Sequence, residues 1–215
     1  MNLPAAGTAP LWVQTLKVTA AEQTHAFGAA LAEVLRAGDL LVLTGELGAG
    51  KTTFTQGLGE GLGVREGIIS PTFVLVRIHP NLPDGPRPGG PDLVHVDAYR
   101  LGSASEIDDI DLENTLDSAV TVVEWGRDRV EHLSESRLEV ELHRSIGGAP
   151  APSAGVAASA HPADGGAGPG AAPDAETVLD FDAEDDDEPR TIIIRGFGPR
   201  WADQPVLTQA FEGTP

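Results

Sequence analysis

Leu40-Leu41-Val42-Leu43-Thr44-Gly45-Glu46-Leu47-Gly48-Ala49-Gly50-Lys51-Thr52-Thr53 is an apolar strand, a glycine turn and a helix start, in that order. The pattern G-x-x-x-x-G-K-[ST] is complete from Gly45 to Thr52, which is the P-loop signature. Glycines let the backbone turn its N–H groups around phosphate oxygens with no Cβ in the way. The helix that follows points its unpaired N–H groups and positive dipole end at the same anion. Lys51 is one of two lysines in the chain, beside Lys17, and can reach the β/γ phosphates as a point charge. The Thr52 hydroxyl can take a place on Mg²⁺. The expected nucleotide cradle is therefore Gly45, Glu46, Leu47, Gly48, Ala49, Gly50, Lys51, Thr52 and Thr53, with ATP and Mg²⁺ as cofactors.

Around this stretch, 215 residues predict one domain with one sizeable core. No apolar run approaches the ~18–20 residues that span a membrane, and residues 1–10 lack the charged and apolar regions of a signal peptide. Zero cysteines exclude a disulfide framework and a thiolate metal site, which fits a cytoplasmic setting. The net charge is -19. Ten acids and no cation fall in 146–189, which leaves 23 acids against 14 cations elsewhere. A chain so charged repels polyanions, so a nucleic-acid function would need a basic partner.

The chain order gives an α/β fold. Leu11 to Val18 alternates as a strand. Thr19-Ala20-Ala21-Glu22 matches a capping box, with Phe27, Leu31, Val34 and Leu35 as one helical stripe up to Gly38. Gln23 and Thr24 read there as solvated first-turn residues. Phe54, Leu58 and Leu62 form the stripe of the P-loop helix, closed by Gly59, Gly61 and Gly63. Further strands are expected at 74–78, 93–97, 119–124, 138–142 and 190–195. Pro80 to Pro91 reads as a surface excursion, and Arg127 to Leu133 as a short helix. The predicted division is a P-loop domain over 1–145, a disordered acidic insertion at 146–189 and a final strand at 190–200. A flexible tail is expected at 201–215. The insertion, poor in large apolar groups, cannot offset its ordering entropy and should join two adjacent strands as an overgrown hairpin loop.

A P-loop that holds Mg·ATP calls for a carboxylate at the tip of a neighbouring strand. Asp97 and Glu124 both have that form, each after an uninterrupted apolar run. His95 and His143 read as ordinary strand residues, with no metal-binding spacing among the histidines.

Gly45 to Phe54, Ser70-Pro71-Thr72-Phe73, His95-Val96-Asp97-Ala98-Tyr99-Arg100-Leu101 and Val123-Glu124-Trp125 occur in this order. Together these four motifs resemble the bacterial TsaE family, the P-loop ATPases of tRNA threonylcarbamoyladenosine biosynthesis, over roughly 11–144 and the strand near 190–195. The resemblance implies a three-layer P-loop NTPase-like fold, with a mostly parallel central sheet and a C-terminal antiparallel hairpin. It implies slow ATP hydrolysis that resets a complex with TsaB and TsaD, the proteins that carry out threonylcarbamoyl transfer. By the same resemblance Lys51 and Thr52 take the phosphate and Mg²⁺ roles, and Glu124 is the metal-associated acid. Asp97 is a carboxylate required for activity, Thr72 sits in a switch-like loop, and Gln23 with Thr24 flanks the adenine side. The loop 80–91 and the segment 146–189 are longer than the family's usual connections. A small-molecule or nucleoside kinase, with Arg127 or Arg129 as a phosphate lid, remains compatible with the P-loop alone, as does a nucleotide-gated scaffold with negligible turnover.

Overall fold

A computed structural model describes residues 9–101, 106–107, 110–144 and 189–206. The acidic insertion lies outside the described residues, apart from Pro189. The strands are β1 (Trp12–Val18), β2 (Leu40–Gly45), β3 (Val76–His79), β4 (Asp92–Asp97), β5 (Ala119–Glu124), β6 (Arg137–Arg144) and β7 (Arg190–Phe197). The helices are α1 (Ala21–Ala32), α2 (Lys51–Leu62) and the single turn α3 (Glu113–Leu116). One sheet runs β1-β7-β6-β2-β5-β4-β3. Its centre, β6-β2-β5-β4, is parallel, and β7, β1 and β3 add antiparallel edges. This is the expected three-layer α/β architecture. Arg144 pairs with Arg190 at the open end of the β6–β7 pair, so the insertion does connect adjacent strands.

Strand alternation divides the core in two. Leu41, Leu43, Val120, Val122, Leu138 and Val140 face α1 and α2, with Phe27, Leu31, Phe54 and Leu58 packed above them. Leu40, Val42, Val94, Val96 and Val123 face the other way, under Ile107, Leu112, Leu116 and Val130. The two helices pack backbone to backbone. A Cβ at Gly57 would lie 1.9 Å from the His25 carbonyl oxygen, and one at Gly28 would lie 2.3 Å from that of Phe54. Gly59 and Gly61 therefore lie inside α2 rather than at its end, which comes at Gly63.

Several expectations are corrected by this packing. Helix α1 begins at Ala21, so Glu22 falls one place short of the reach-back position. Gln23 Oε1 instead accepts from the Thr19 N–H at 2.7 Å and the Thr19 hydroxyl at 3.2 Å. Thr24 is not a solvated residue: it is fully buried against α2. The helix ends at Ala32, leaving Val34 exposed. The loop 80–91 is no idle excursion, because Arg87 donates to the carbonyls of Ala32 and Leu35 at 2.8 and 2.9 Å. Asn81 does the same for Leu62 at 2.9 Å, so one loop satisfies the ends of both helices. Residues 127–133 form turns, not a helix. Residue 201, expected to open a flexible tail, is instead held in place. Trp201 closes a 3-10 turn, Pro199–Trp201, with its ring buried in the core and its carbonyl accepting from Trp12 at 2.8 Å. Arg200 beside it is bidentate on buried Asp39, both contacts 3.1 Å. Among the described residues, no helix is long and apolar enough to cross a membrane.

Candidate active site at the P-loop

Strand β2 ends in the glycine turn, and α2 starts at Lys51 behind Gly50, whose φ of 95° is the left-handed conformation that favours glycine. Lys51 is 7% exposed and curls back over its own loop. Its Nζ donates to the carbonyls of Gly45 at 2.9 Å and Glu46 at 3.0 Å, and lies 4.5 Å from the Trp125 ring centre. Burial pushes the Lys51 ammonium below the usual lysine range, against the upward pull of Glu124, then Asp97, then Glu46. A buried cation in this position gains from any anion brought to the loop. Thr52 is partly buried and Thr53 is 9% exposed, while Glu46, Leu47 and Gly48 form the open rim with Ala49 buried beneath.

The two predicted acids meet side by side. Asp97 pairs with Glu124 in the β4–β5 register, and Leu43 of β2 pairs with Glu124 from the other side. Both carboxylates are 2% exposed. Only Glu124 is on a strand adjacent to the P-loop strand. The expectation that Asp97 is too is corrected, because β5 stands between β4 and β2.

Their partners differ in kind. Glu124 Oε1 is 2.8 Å from His95 Nε2, in a pair with no described solvent access on the histidine side. Asp97 instead holds a loop. Its Oδ2 accepts a short hydrogen bond from the Thr72 hydroxyl and a 3.5 Å one from Ser70, and Oδ1 accepts from the Tyr99 N–H at 2.8 Å. Its own N–H donates to the Leu75 carbonyl at 2.9 Å. Leu75 (φ 68°) and Trp125 (φ 60°) are left-handed without being glycine. For bulky residues that is strain which surrounding structure must hold in place.

The adenine-side candidates are split. Thr24 packs against the P-loop, with its methyl group 3.6 Å from where a Gly50 Cβ would stand. Gln23 is exposed and its amide is committed to Thr19. Arg129, a candidate lid, is a staple: it donates to the Ala98 carbonyl at 2.6 Å. Arg127 sits on Glu141 at 3.0 Å and on Thr44 at 3.3 Å. Among the described residues no group of three or more His, Cys, Asp or Glu could hold a metal. A hydrated Mg²⁺ that takes one or two protein ligands and fills its shell with phosphate oxygens suits this donor set, with Thr52 and Glu124 as the candidate ligands.

Sequence reasoning passed over His95. It lies two residues before Asp97, so strand alternation puts it on the same face as both acids, and that spacing was the available signal.

A family model described as "Threonylcarbamoyl adenosine biosynthesis protein TsaE" matches residues 18–148. The chain belongs to the TsaE family. The matched span runs from the end of β1 through β6 and carries every element of the site. A Streptomyces coelicolor protein of that description is 58% identical over 121 residues, 56% of this chain and 78% of its own. One from Mycobacterium tuberculosis is 48% identical over 129 residues, covering 57% and 74%. A Bacillus subtilis protein of the same description is 38% identical over 125 residues, covering 58% and 73%. The crystal structure of YdiB from that genus superposes with a TM-score of 0.54 at 25% identity, over 88% of this chain and 89% of that one. Membership places the chain in tRNA threonylcarbamoyladenosine biosynthesis.

Proposed function

We propose that within this pathway the chain is the ATP-hydrolysing component, acting with TsaB and TsaD in the cytoplasm. The observation that carries the reading is the convergence on Lys51. The buried ammonium sits on P-loop carbonyls within electrostatic reach of Glu124 and Asp97. In this reading the backbone N–H groups from Gly45 to Thr53 and the Lys51 ammonium hold the phosphates, with Thr52 and Glu124 at Mg²⁺. The metal would neutralise phosphate charge when bound. Thr24, packed beside Gly50, and Gln23 border the nucleoside side.

Asp97 and Thr72 then form the hydrolytic arm. An aspartate that holds the 70–75 loop through its carboxylate to the Thr72 hydroxyl and through its own N–H to the Leu75 carbonyl can couple the position of that loop to the water it orients. The loop itself is an inviting handle for TsaB–TsaD, with Phe73 91% exposed and Val74 and Ile69 both more than half exposed. The acidic net charge agrees with tRNA being held by those partners. A kinase is the weaker reading, since Arg129 is committed to the Ala98 carbonyl and Arg127 contacts Glu141.

Titration calorimetry of ATP against the wild type and Lys51→Ala tests the nucleotide reading. The substitution should weaken binding at least tenfold, about 1.4 kcal/mol, with the fold unchanged by circular dichroism. Equal affinity in the two proteins would remove the assignment.

A further inference from the structure

Glu124 is buried, yet among the described residues one side chain alone hydrogen-bonds to it. His95, fully buried on the neighbouring strand, brings Nε2 to 2.8 Å from Glu124 Oε1. The strand register explains the reach. His95 pairs with Val122 and Asp97 with Glu124, so the imidazole crosses the diagonal between strands to touch the acid two positions on.

With a carboxylate oxygen as the acceptor, Nε2–H is the donor of this contact. Among the described residues His95 Nδ1 has no hydrogen-bond partner. The ring therefore makes one polar contact, and that contact is to Glu124. On its far side the His79 ring stands 6.4 Å away at a tilt of 39° and packs against the imidazole.

We propose that His95 is a positioning residue: its Nε2–H holds Glu124 Oε1, fixes the carboxylate plane and leaves Oε2 as the oxygen offered to a divalent cation at the P-loop. The proposal rests on the nucleotide reading above. A carboxylate free to rotate would present either oxygen and would share its charge with whatever donor came near. Ligating carboxylates held by a second residue are the general pattern at metal sites, and loss of that residue typically weakens metal binding by about 10–100-fold.

The discriminating quantity is Mg²⁺ coupling, the ratio of ADP affinities with and without Mg²⁺, measured by titration calorimetry on the full chain. Three proteins are compared: wild type, His95→Gln, whose amide nitrogen can stand near the Nε2 position, and His95→Asn, whose shorter amide falls short of Glu124. Circular dichroism and melting temperature are recorded for each. Coupling should fall by about 10–100-fold in His95→Asn and return to within a few-fold of wild type in His95→Gln, even where both variants melt lower. Unchanged coupling in His95→Asn, or equal loss in both variants that tracks their loss of stability, would make His95 a packing residue and overturn the proposal. Absence of Mg²⁺ coupling in a wild type that binds ADP would overturn the assignment of Thr52 and Glu124 to Mg²⁺, and this proposal with it, whereas failure to bind ADP at all would overturn the nucleotide reading.

Discussion

Gly57→Ala and Gly59→Ala are the same substitution two residues apart on one helix, and they should have different outcomes. Replacing glycine by alanine in a helix interior gains up to about 1 kcal/mol of propensity in both cases. The new methyl groups meet different atoms. At Gly57 the Cβ would stand 1.9 Å from the His25 backbone oxygen and 3.1 Å from the Ala29 nitrogen. Ordinary C···O contacts are about 3.3 Å, so α1 and α2 would have to part by more than ~1 Å along a backbone that cannot rotate away. Overpacking of this kind costs about 3 kcal/mol or more, and the net loss is roughly 2 kcal/mol after the propensity gain. For a domain of this size that is a fall of about 4–8 °C in melting temperature. At Gly59 the nearest atom is the tip of Ile68, Cδ1 at 2.2 Å, which can turn about its side-chain bonds. Gly59→Ala should stay within about 1 kcal/mol of wild type. Thermal unfolding followed by circular dichroism decides it. A Gly57→Ala protein as stable as Gly59→Ala would refute the backbone-to-backbone packing that sets α2, and with it Lys51, against the sheet.

The two acids should fail in separable ways. Glu124→Ala should weaken the Mg²⁺ dependence of ATP binding, whereas Asp97→Ala should bind Mg·ATP almost normally and lose partner-stimulated hydrolysis. The opposite pattern in titration and turnover would mean the two roles are reversed. Glu141 carries the clearest pH signature. Burial acts to raise its pKa, but hydrogen bonds from Arg127 and Arg195 outweigh it and hold the carboxyl at about 2. A depressed carboxyl stabilises the fold fully above the ordinary value of 4.5 and loses that contribution as pH falls from there towards 2. The arginines are 40% and 25% exposed, so solvent screening limits the effect to about 1–2 kcal/mol. Melting temperature should drop more steeply across that window in the wild type than in Glu141→Gln, and parallel curves would refute the assignment.

Local features were legible in the sequence because local chemistry decides them. Leu40 to Thr53 had to be strand, turn and helix, and Asp97 and Glu124 had to end their strands, since each follows an apolar run with no other breaker. What escaped was set by residues far apart in the chain. Thr24 looks like a first-turn surface residue until Gly50 and Gly57 bring α2 against it. Asp97 looks like a neighbour of the P-loop until β5 intervenes, a matter of strand order that periodicity does not encode. Trp201 resembles the start of a tail because its partner, Trp12, lies at the other end of the sequence. The capping error at Glu22 was smaller, a shift of one residue in where the helix starts. The four motifs carried the family through all of this, since they sit where the site is and not where the packing is.

Phosphate release from ATP, measured with and without purified TsaB and TsaD, tests the central claim most directly. Release should be slow from the chain alone, rise clearly when the TsaB–TsaD pair is added, and not rise for Lys51→Ala under the same conditions. Release that ignores the partners, or a stimulated rate that survives Lys51→Ala, would contradict it.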